Sequence, residues 1–312
     1  MVKQILSCDW GTTSFRLRLV NVSDAAVLAE ATNGKGIATV YETWLQSGLP
    51  ENERSIFYKK ILKTAVSTLG YAVDNAVPLI VSGMASATIG MEELSYQSIP
   101  LLIKPGSLHT KKIAADKNFD HGILLVSGVH TNDDVMRGEE TMLLGCDIDN
   151  EEYLSIFPGT HSKHVVVKDG RLVDFKTFMT GEIFDLLANK SVLSKSIKNN
   201  DGQYQTVFEA GVKAGANNNL LNIAFHVRTN ALFKKYTPEE NYHYLSGLLI
   251  GYELSEIDDL KKNIRLVCGK QLAAKYLQAF KILSPQIKIE NINADDALIN
   301  GHCKLAAIYY NY

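Results

Sequence analysis

The sequence is poor in cysteine and proline, with 4 and 7 of them in 312 residues. Cys8, Cys146, Cys268 and Cys303 lie far apart and form no CxxC pair. That spacing argues against a disulfide framework or a thiolate zinc site, and for small buried thiols in a reduced cytoplasmic chain. No apolar run approaches the roughly 18–20 residues that a membrane helix needs. The opening MVKQILSCDW runs straight into Asp9, as a strand would and a signal peptide would not. A basic excess is missing too: the formal net charge is -2. This speaks against a general nucleic-acid binder, although it leaves small anionic ligands open. GxxxxGK[ST], HExxH and GxSxG are absent, and Gly34-Lys35-Gly36 lacks the third glycine and helix opening of a dinucleotide fingerprint. P-loop NTPases, zinc hydrolases and α/β-hydrolases are thereby set aside.

What is present reads as a soluble α/β chain, 46% hydrophobic and without low-complexity segments. Its length allows two domains. Apolar patterning predicts strands at 3–8, 15–20, 78–82 and 122–127, the third ending at Gly83. It predicts helices at 53–69 and 137–146, the latter entered by acidic residues. Thr180 is the expected N-cap of a helix over IFDLLANKSVL. Residues 264–272 read as strand, glycine turn and helix, and segments 195–206 and 215–219 as polar breaks.

The most informative feature is a self-similarity. CDWGTTSFRLRLV breaks an apolar strand with a carboxylate, a glycine and hydroxyl residues before alternation resumes. Laid over residues 154–167 at constant offset, Leu6, Ser7, Gly11, Thr12 and Ser14 match Leu154, Ser155, Gly159, Thr160 and Ser162. A hairpin turn that wants glycine and hydroxyls accounts for either copy alone. Two copies near the starts of the two halves favour a shared ligand, and freed N–H groups with hydroxyls suit an oxyanion such as phosphate.

Asp9-Trp10-Gly11-Thr12-Thr13 before a strand resembles the first phosphate loop of the actin-like ATPase superfamily, and residues 158–163 (PGTHSK) resemble the second. Together with Ser82-Gly83-Met84 and residues 135–141 (VMRGEET), these stretches resemble the 2-dehydro-3-deoxygalactonokinase family. Residues 179–182 (MTGE) and 245–251 (LSGLLIG) extend the likeness along the chain. The resemblance implies two actin-like (ribonuclease H-like) α/β domains, each a mixed sheet with flanking helices, with the active site in the interdomain cleft. Residues 1–146 would form the sugar side, 147–295 the adenosine side, and 296–312 a helix packing back on the first domain.

The implied activity is ATP-dependent phosphorylation of 2-dehydro-3-deoxy-D-galactonate at its 6-hydroxyl, for galactonate breakdown, with ATP and Mg²⁺ as cofactors. A small-molecule sugar acid is the expected partner, with no nucleic acid and no membrane; a homodimer is left open. Residues 85–96 (ASATIGMEELSY) depart from the family pattern, lacking its Trp after the glycine and its Pro before the Tyr. A kinase for another sugar acid or a hexose therefore stays as an alternative, as does an actin-like ATPase or regulator that is not a kinase.

Within this resemblance Asp9 is the metal candidate, holding Mg²⁺ through water; a turn-capping carboxylate is the plain alternative. Gly11, Thr12 and Thr13, with Gly159, Thr160, Ser162 and Lys163, are expected at the phosphates, and Gly269 at the adenosine. Glu139, after Gly138, is the expected general base, with Glu140 or Asp134 in reserve; acidic residues also simply favour helix N-termini. Arg137 is placed against the substrate carboxylate in fork geometry, or else as partner of its acidic neighbours. Ser82, Met84, Asp134 and His161 complete the substrate set, His161 being equally readable as a structural histidine.

Overall fold

A computed structural model describes residues 2–147, 151–200, 202, 204–257 and 263–310. Contacts divide the chain into two compact units. Met1–Glu151, Val167–Phe175 and Ala294–Tyr312 form the first, and Glu152–Val166 with Lys176–Asn293 the second.

The first unit is built on strand Gln4–Trp10. Its sheet runs in the order Val27–Asn33, Phe15–Asn21, Gln4–Trp10, Leu79–Gly83, Ile123–Val126, Thr110–Ile113. The first three strands form an antiparallel meander. Leu79–Gly83 and Ile123–Val126 then join in parallel, so the carboxyl ends of three neighbouring strands open on the same edge, where ligands of open α/β sheets gather. Alternation gives each face its own cover. Leu6, Cys8 and Trp10 enter a core with Ile37, Val40, Tyr58 and Leu62 from helices Ile37–Gln46 and Arg54–Ser67. Ser7 projects the other way, towards helix Ala294–Tyr309. That helix lies backbone to backbone on helix Glu139–Gly145: a Cβ on Gly145 would sit 1.7 Å from the Ala297 carbonyl oxygen, and one on Gly301 2.2 Å from that of Thr141.

The second unit repeats the strand plan. Its sheet runs in the order Ile289–Asn293, Asn263–Cys268, Tyr153–Phe157, Ser162–Lys168, Arg171–Phe178, Leu101–Leu102, the contact division sharing Ser162–Lys168 and Arg171–Phe178 out between the units and leaving Leu101–Leu102 in the first. Tyr153–Phe157 takes the central place of Gln4–Trp10, with a parallel neighbour in Asn263–Cys268. Helix Pro238–Ser255, opened by a Thr237–Glu240 capping box, crosses helix Gln205–Asn217 at close range. A Cβ on Gly247 would meet the Phe208 carbonyl oxygen at 2.2 Å, and one on Gly251 that of Val212 at 2.2 Å. Interior helix glycines cost roughly 1 kcal/mol each against alanine, so this close approach is the physical reason for LSGLLIG.

Two local readings need correction. Met179, not Thr180, precedes helix Thr180–Asp185, because the Thr180 hydroxyl is drawn to a buried carboxylate instead. The polar segment 215–219 does not break at its start: helix Gln205–Asn217 runs to Asn217, whose amide donates to the Lys213 carbonyl at 2.8 Å. Residues 201 and 203 of the segment 195–206 lie outside the described residues. Among the described residues no helix is long and apolar enough to cross a membrane.

Candidate active site

The first loop is shaped from behind. Gly11 N–H donates to the Ser14 carbonyl at 2.9 Å, closing the turn. The amides of Ile37 and Ala38, at the start of helix Ile37–Gln46, donate to the carbonyls of Gly11 (2.9 Å) and Thr12 (3.1 Å). Gly36 lets that helix come close enough, since a Cβ there would stand 2.2 Å from the Thr12 carbonyl oxygen. Trp10 pins the base of the loop through its indole N–H to the Lys35 carbonyl at 3.2 Å. Thr12, Thr13 and Ser14 are exposed.

Asp9 and Glu139 come together through two glycines. Gly83 has φ +85°, and a Cβ there would meet the Trp10 carbonyl oxygen at 2.7 Å and Asp9 Oδ1 at 3.6 Å. Gly138 has φ +110° and packs on Gly83, its Cβ position 3.6 Å from the Gly83 Cα. Burial pushes the Asp9 carboxyl up from 3.8 to about 6, against the pull of Arg16 and Arg18 and with the push of Asp295 and Glu139. Glu139 is half-buried, and its carboxylate accepts the Arg137 N–H at 3.1 Å. Glu140 is fully buried, accepting from the Gly138 N–H at 2.7 Å and the Thr141 hydroxyl at 2.9 Å. Burial, then the charge of Glu139, raises the Glu140 carboxyl to about 7.

The expected substrate residues fare differently. The Arg137 guanidinium donates to the Ser86 hydroxyl and the Leu94 carbonyl and lies 4.2 Å from the Tyr96 ring centroid. Its Nε–H is buried without a partner among the described residues. Met84 is half-buried in the turn after Gly83. Asp134 is half-buried beside a recess of about 550 Å³ lined by Tyr96, His130 and residues 131–135. Ser82 is turned away: fully buried, its hydroxyl lies 3.1 Å from His302 Nε2, while His302 Nδ1 lies 2.7 Å from the Ser7 hydroxyl. Burial, aided by Arg18, lowers the His302 imidazole to about 3, so it bridges the two serines as a neutral ring.

The second loop has the same kind of support. Gly181 presses on it, a Cβ there standing 2.5 Å from the Gly159 carbonyl oxygen, and the Glu182 N–H donates to the Thr160 carbonyl at 3.0 Å. Thr160 and His161 are exposed, and His161 Nε2 lies 2.5 Å from Glu182 Oε2. Lys163 is buried, donating to the His161 carbonyl at 2.9 Å. Ser162, the other expected phosphate contact that the structure commits elsewhere, donates to Glu253 at 2.6 Å. Glu253 is 1% exposed and also receives Tyr276 at 2.7 Å, His164 at 3.0 Å and Thr180. Burial alone would raise this carboxyl; the bonds from His164, Ser162 and Thr180 outweigh it and hold it below the ordinary range. Glu253 belongs to no motif of the sequence, although an acid at the end of an otherwise apolar helical run is a visible signal.

Beside Gly159, where an added Cβ would meet nothing within 4 Å, opens a cleft of about 740 Å³ within the second unit. Phe184, Tyr242, His243 and Tyr276 give it aromatic walls, with Asn199 and Asn200 at its rim and Lys275 within. Lys275 Nζ donates to the Ser246 hydroxyl at 3.2 Å. Burial lowers the ammonium of Lys275 and the imidazole of His243. Gly269 caps helix Lys270–Leu283, whose Gln271, Leu272, Ala274 and Lys275 form one wall. The aromatic residues come from three helices, with Tyr242 and His243 adjacent on one of them, and escape any short motif.

Comparison with known proteins agrees over nearly the whole chain. The chain is 31% identical over 306 residues to a probable 2-dehydro-3-deoxygalactonokinase of Rhizobium meliloti, covering 94% of this chain and 93% of that protein. It is 31% identical over 218 residues to the 2-dehydro-3-deoxygalactonokinase of Escherichia coli, covering 67% and 72%. A solved structure from Sinorhizobium meliloti, described as a 2-dehydro-3-deoxygalactonokinase, superposes with a TM-score of 0.82 at 30% identity over 98% of this chain and 97% of that one. Residues 9–305 match the family model of 2-keto-3-deoxy-galactonokinase, and the chain belongs to that family of sugar-acid kinases.

Proposed function

We propose that the protein transfers the γ-phosphoryl group of ATP to the 6-hydroxyl of 2-dehydro-3-deoxy-D-galactonate. The observation that carries this reading is the meeting of Asp9 and Glu139 across Gly83 and Gly138, beside a loop of exposed hydroxyls. The shared strand order of the two units, each with a supported GT loop, supports two actin-like domains. Phosphoryl transfer asks mainly for positioning and electrostatic stabilisation, plus a group to take a proton.

In this reading Glu139 accepts the proton of the 6-hydroxyl as its oxygen bonds to the γ-phosphorus. The bond from that phosphorus to the bridging oxygen breaks, and ADP leaves. Arg137 fixes the turn that aims Glu139, and its charge favours an anionic sugar acid nearby; Met84, Asp134 and the exposed His161 serve the same substrate. Gly11, Thr12 and Thr13 offer N–H and hydroxyl donors to phosphate oxygens, as do Gly159 and Thr160, with Lys163 a fixed positive charge beneath the second loop. The aromatic cleft beside Gly159 and Gly269 suits the adenosine.

A divalent cation fits Asp9. The carboxylate is a hard oxygen donor whose ionised form is opposed chiefly by burial, beyond what Arg16 and Arg18 offset, and a bound cation would relieve that penalty. Among the described residues no three His, Cys, Asp or Glu gather into a metal cage, which suits an ion that keeps its waters and arrives on phosphates. When bound, Mg²⁺ would neutralise charge on the β- and γ-phosphates.

ADP release measured over a panel of sugar acids tests the reading. Turnover stimulated by 2-dehydro-3-deoxygalactonate, with phosphate recovered on the sugar, is expected. No stimulation by any 2-keto-3-deoxy acid would sink it.

A further inference from the structure

The C-terminal helix Ala294–Tyr309 carries Asp295 in its first turn. One carboxylate oxygen of Asp295 accepts from two arginines of strand Phe15–Asn21: Arg16 Nη1 at 2.5 Å and Arg18 Nη2 at 2.9 Å. The antiparallel register sets Arg16 directly opposite Asp9, and Arg18 opposite Ser7. Residues directly opposite one another share a face of the sheet, so the Arg16 side chain starts beside the carboxylate assigned above to the phosphate-bound cation, while its guanidinium ends on Asp295. Arg18 is buried, with a second carboxylate, Glu30, at 2.7 Å. Arg16 is half-exposed, and Asp295 is the carboxylate it bonds among the described residues.

We propose that Asp295 is a positioning residue: it holds the Arg16 guanidinium away from Asp9 and so keeps that carboxylate open to a divalent cation. The inference rests on the assignment of Asp9 made under the proposed function. A guanidinium and a hydrated cation compete for the same carboxylate oxygens, and arginine makes strong charge-assisted pairs with carboxylates. The helix is a rigid base for such a restraint. His302 bridges Ser7 and Ser82 at 2.7 and 3.1 Å, and Gly145 and Gly301 lock the helix against the one that begins at Glu139. Sliding of the helix along the sheet, which would carry Asp295 off Arg16, is therefore blocked.

The test is Mn²⁺ binding, read by electron paramagnetic resonance in the presence of a non-hydrolysable ATP analogue. Asp295→Asn is expected to weaken Mn²⁺ binding about fivefold, the upper range for a partly exposed charge pair. Arg16→Gln should bind Mn²⁺ at least as tightly as the wild type, and the double variant should return to within about twofold of Arg16→Gln, since the competitor is gone. Unchanged binding in Asp295→Asn, weaker binding in Arg16→Gln, or a double variant as weak as Asp295→Asn would each overturn the proposal. Should Asp295→Asn not fold, Arg16→Gln decides alone by the same criterion. Asp9→Asn separates the two levels: wild-type Mn²⁺ binding there removes the assignment of Asp9 itself. Lost binding there, with Asp295→Asn unaffected, overturns the Asp295 inference only.

Discussion

Replacing Asp9 by asparagine should make the protein more stable at alkaline pH while abolishing turnover. Burial raises the Asp9 carboxyl from 3.8 to about 6 in the native state. A carboxyl raised in this way holds its proton more tightly when folded than when unfolded. Its stabilising contribution is therefore complete below pH 3.8 and is lost as pH rises through about 6. A shift of about two units corresponds to roughly 3 kcal/mol, so at pH 8 the ionised Asp9 opposes folding by that order. Asparagine keeps the shape and drops the charge. The thermal midpoint of Asp9→Asn should thus lie about 5 °C above the wild type at pH 8 and coincide with it near pH 3.5. Calorimetry at the two pH values, run beside the ADP-release assay, is the measurement. A variant that melts at or below the wild type at pH 8 would refute the reasoning. So would an equal gain at both pH values, which would point to packing instead of charge.

Glu139→Gln should lose about 10²–10⁴-fold in kcat, the usual contribution of a general base, with the KM for ATP little changed; near-wild-type turnover moves the role to another carboxylate. Gly83→Ala forces a side chain into φ +85° and to 2.7 Å from the Trp10 carbonyl oxygen. It should cost about 2–4 kcal/mol and most of the activity, measured by urea unfolding and turnover; full activity at unchanged stability would contradict the glycine bridge. Glu253→Gln turns an amide NH₂ towards hydroxyl donors and should cost about 3–5 kcal/mol at pH 7. Because the native Glu253 pKa is depressed below 4.5, this contribution is present above that pH. The gap to the wild type should close as pH falls below it, and a gap independent of pH would exclude the charge as its source.

Most of the first unit's frame can be read from its residues, because the polar cluster 9–14 interrupts an otherwise regular alternation and the acidic start of helix Glu139–Gly145 follows a glycine. What escapes the sequence is convergence. Glu253 gathers donors from Ser162 and His164 on one strand, Thr180 on a helix start and Tyr276 on another helix, three elements far apart in the chain. No spacing rule within one helix signals that. Ser14 and Ser162 are matched in the internal repeat, yet the first is exposed and the second fully buried. Identity at a position in a repeat carries the backbone over, and the partner that waits there decides what the side chain does.

The repeat itself reaches further than a constant-offset comparison reveals. In the first copy Gly36 presses against the Thr12 carbonyl, and the amides that follow it donate to the loop carbonyls of Gly11 and Thr12. In the second copy Gly181 presses against the Gly159 carbonyl, and the next amide, that of Glu182, donates to the Thr160 carbonyl. The supporting glycine follows its loop at a different distance along the chain in the two halves, so sequence alignment at one offset cannot register it. The physical demand is the same in both. A loop whose carbonyls are taken up from behind by a helix start can turn its remaining N–H groups outward, and outward N–H groups are what an oxyanion needs. The duplicated unit is therefore the loop together with the glycine-led helix start behind it, and Gly36→Ala or Gly181→Ala should impair phosphate binding through the loop that each supports.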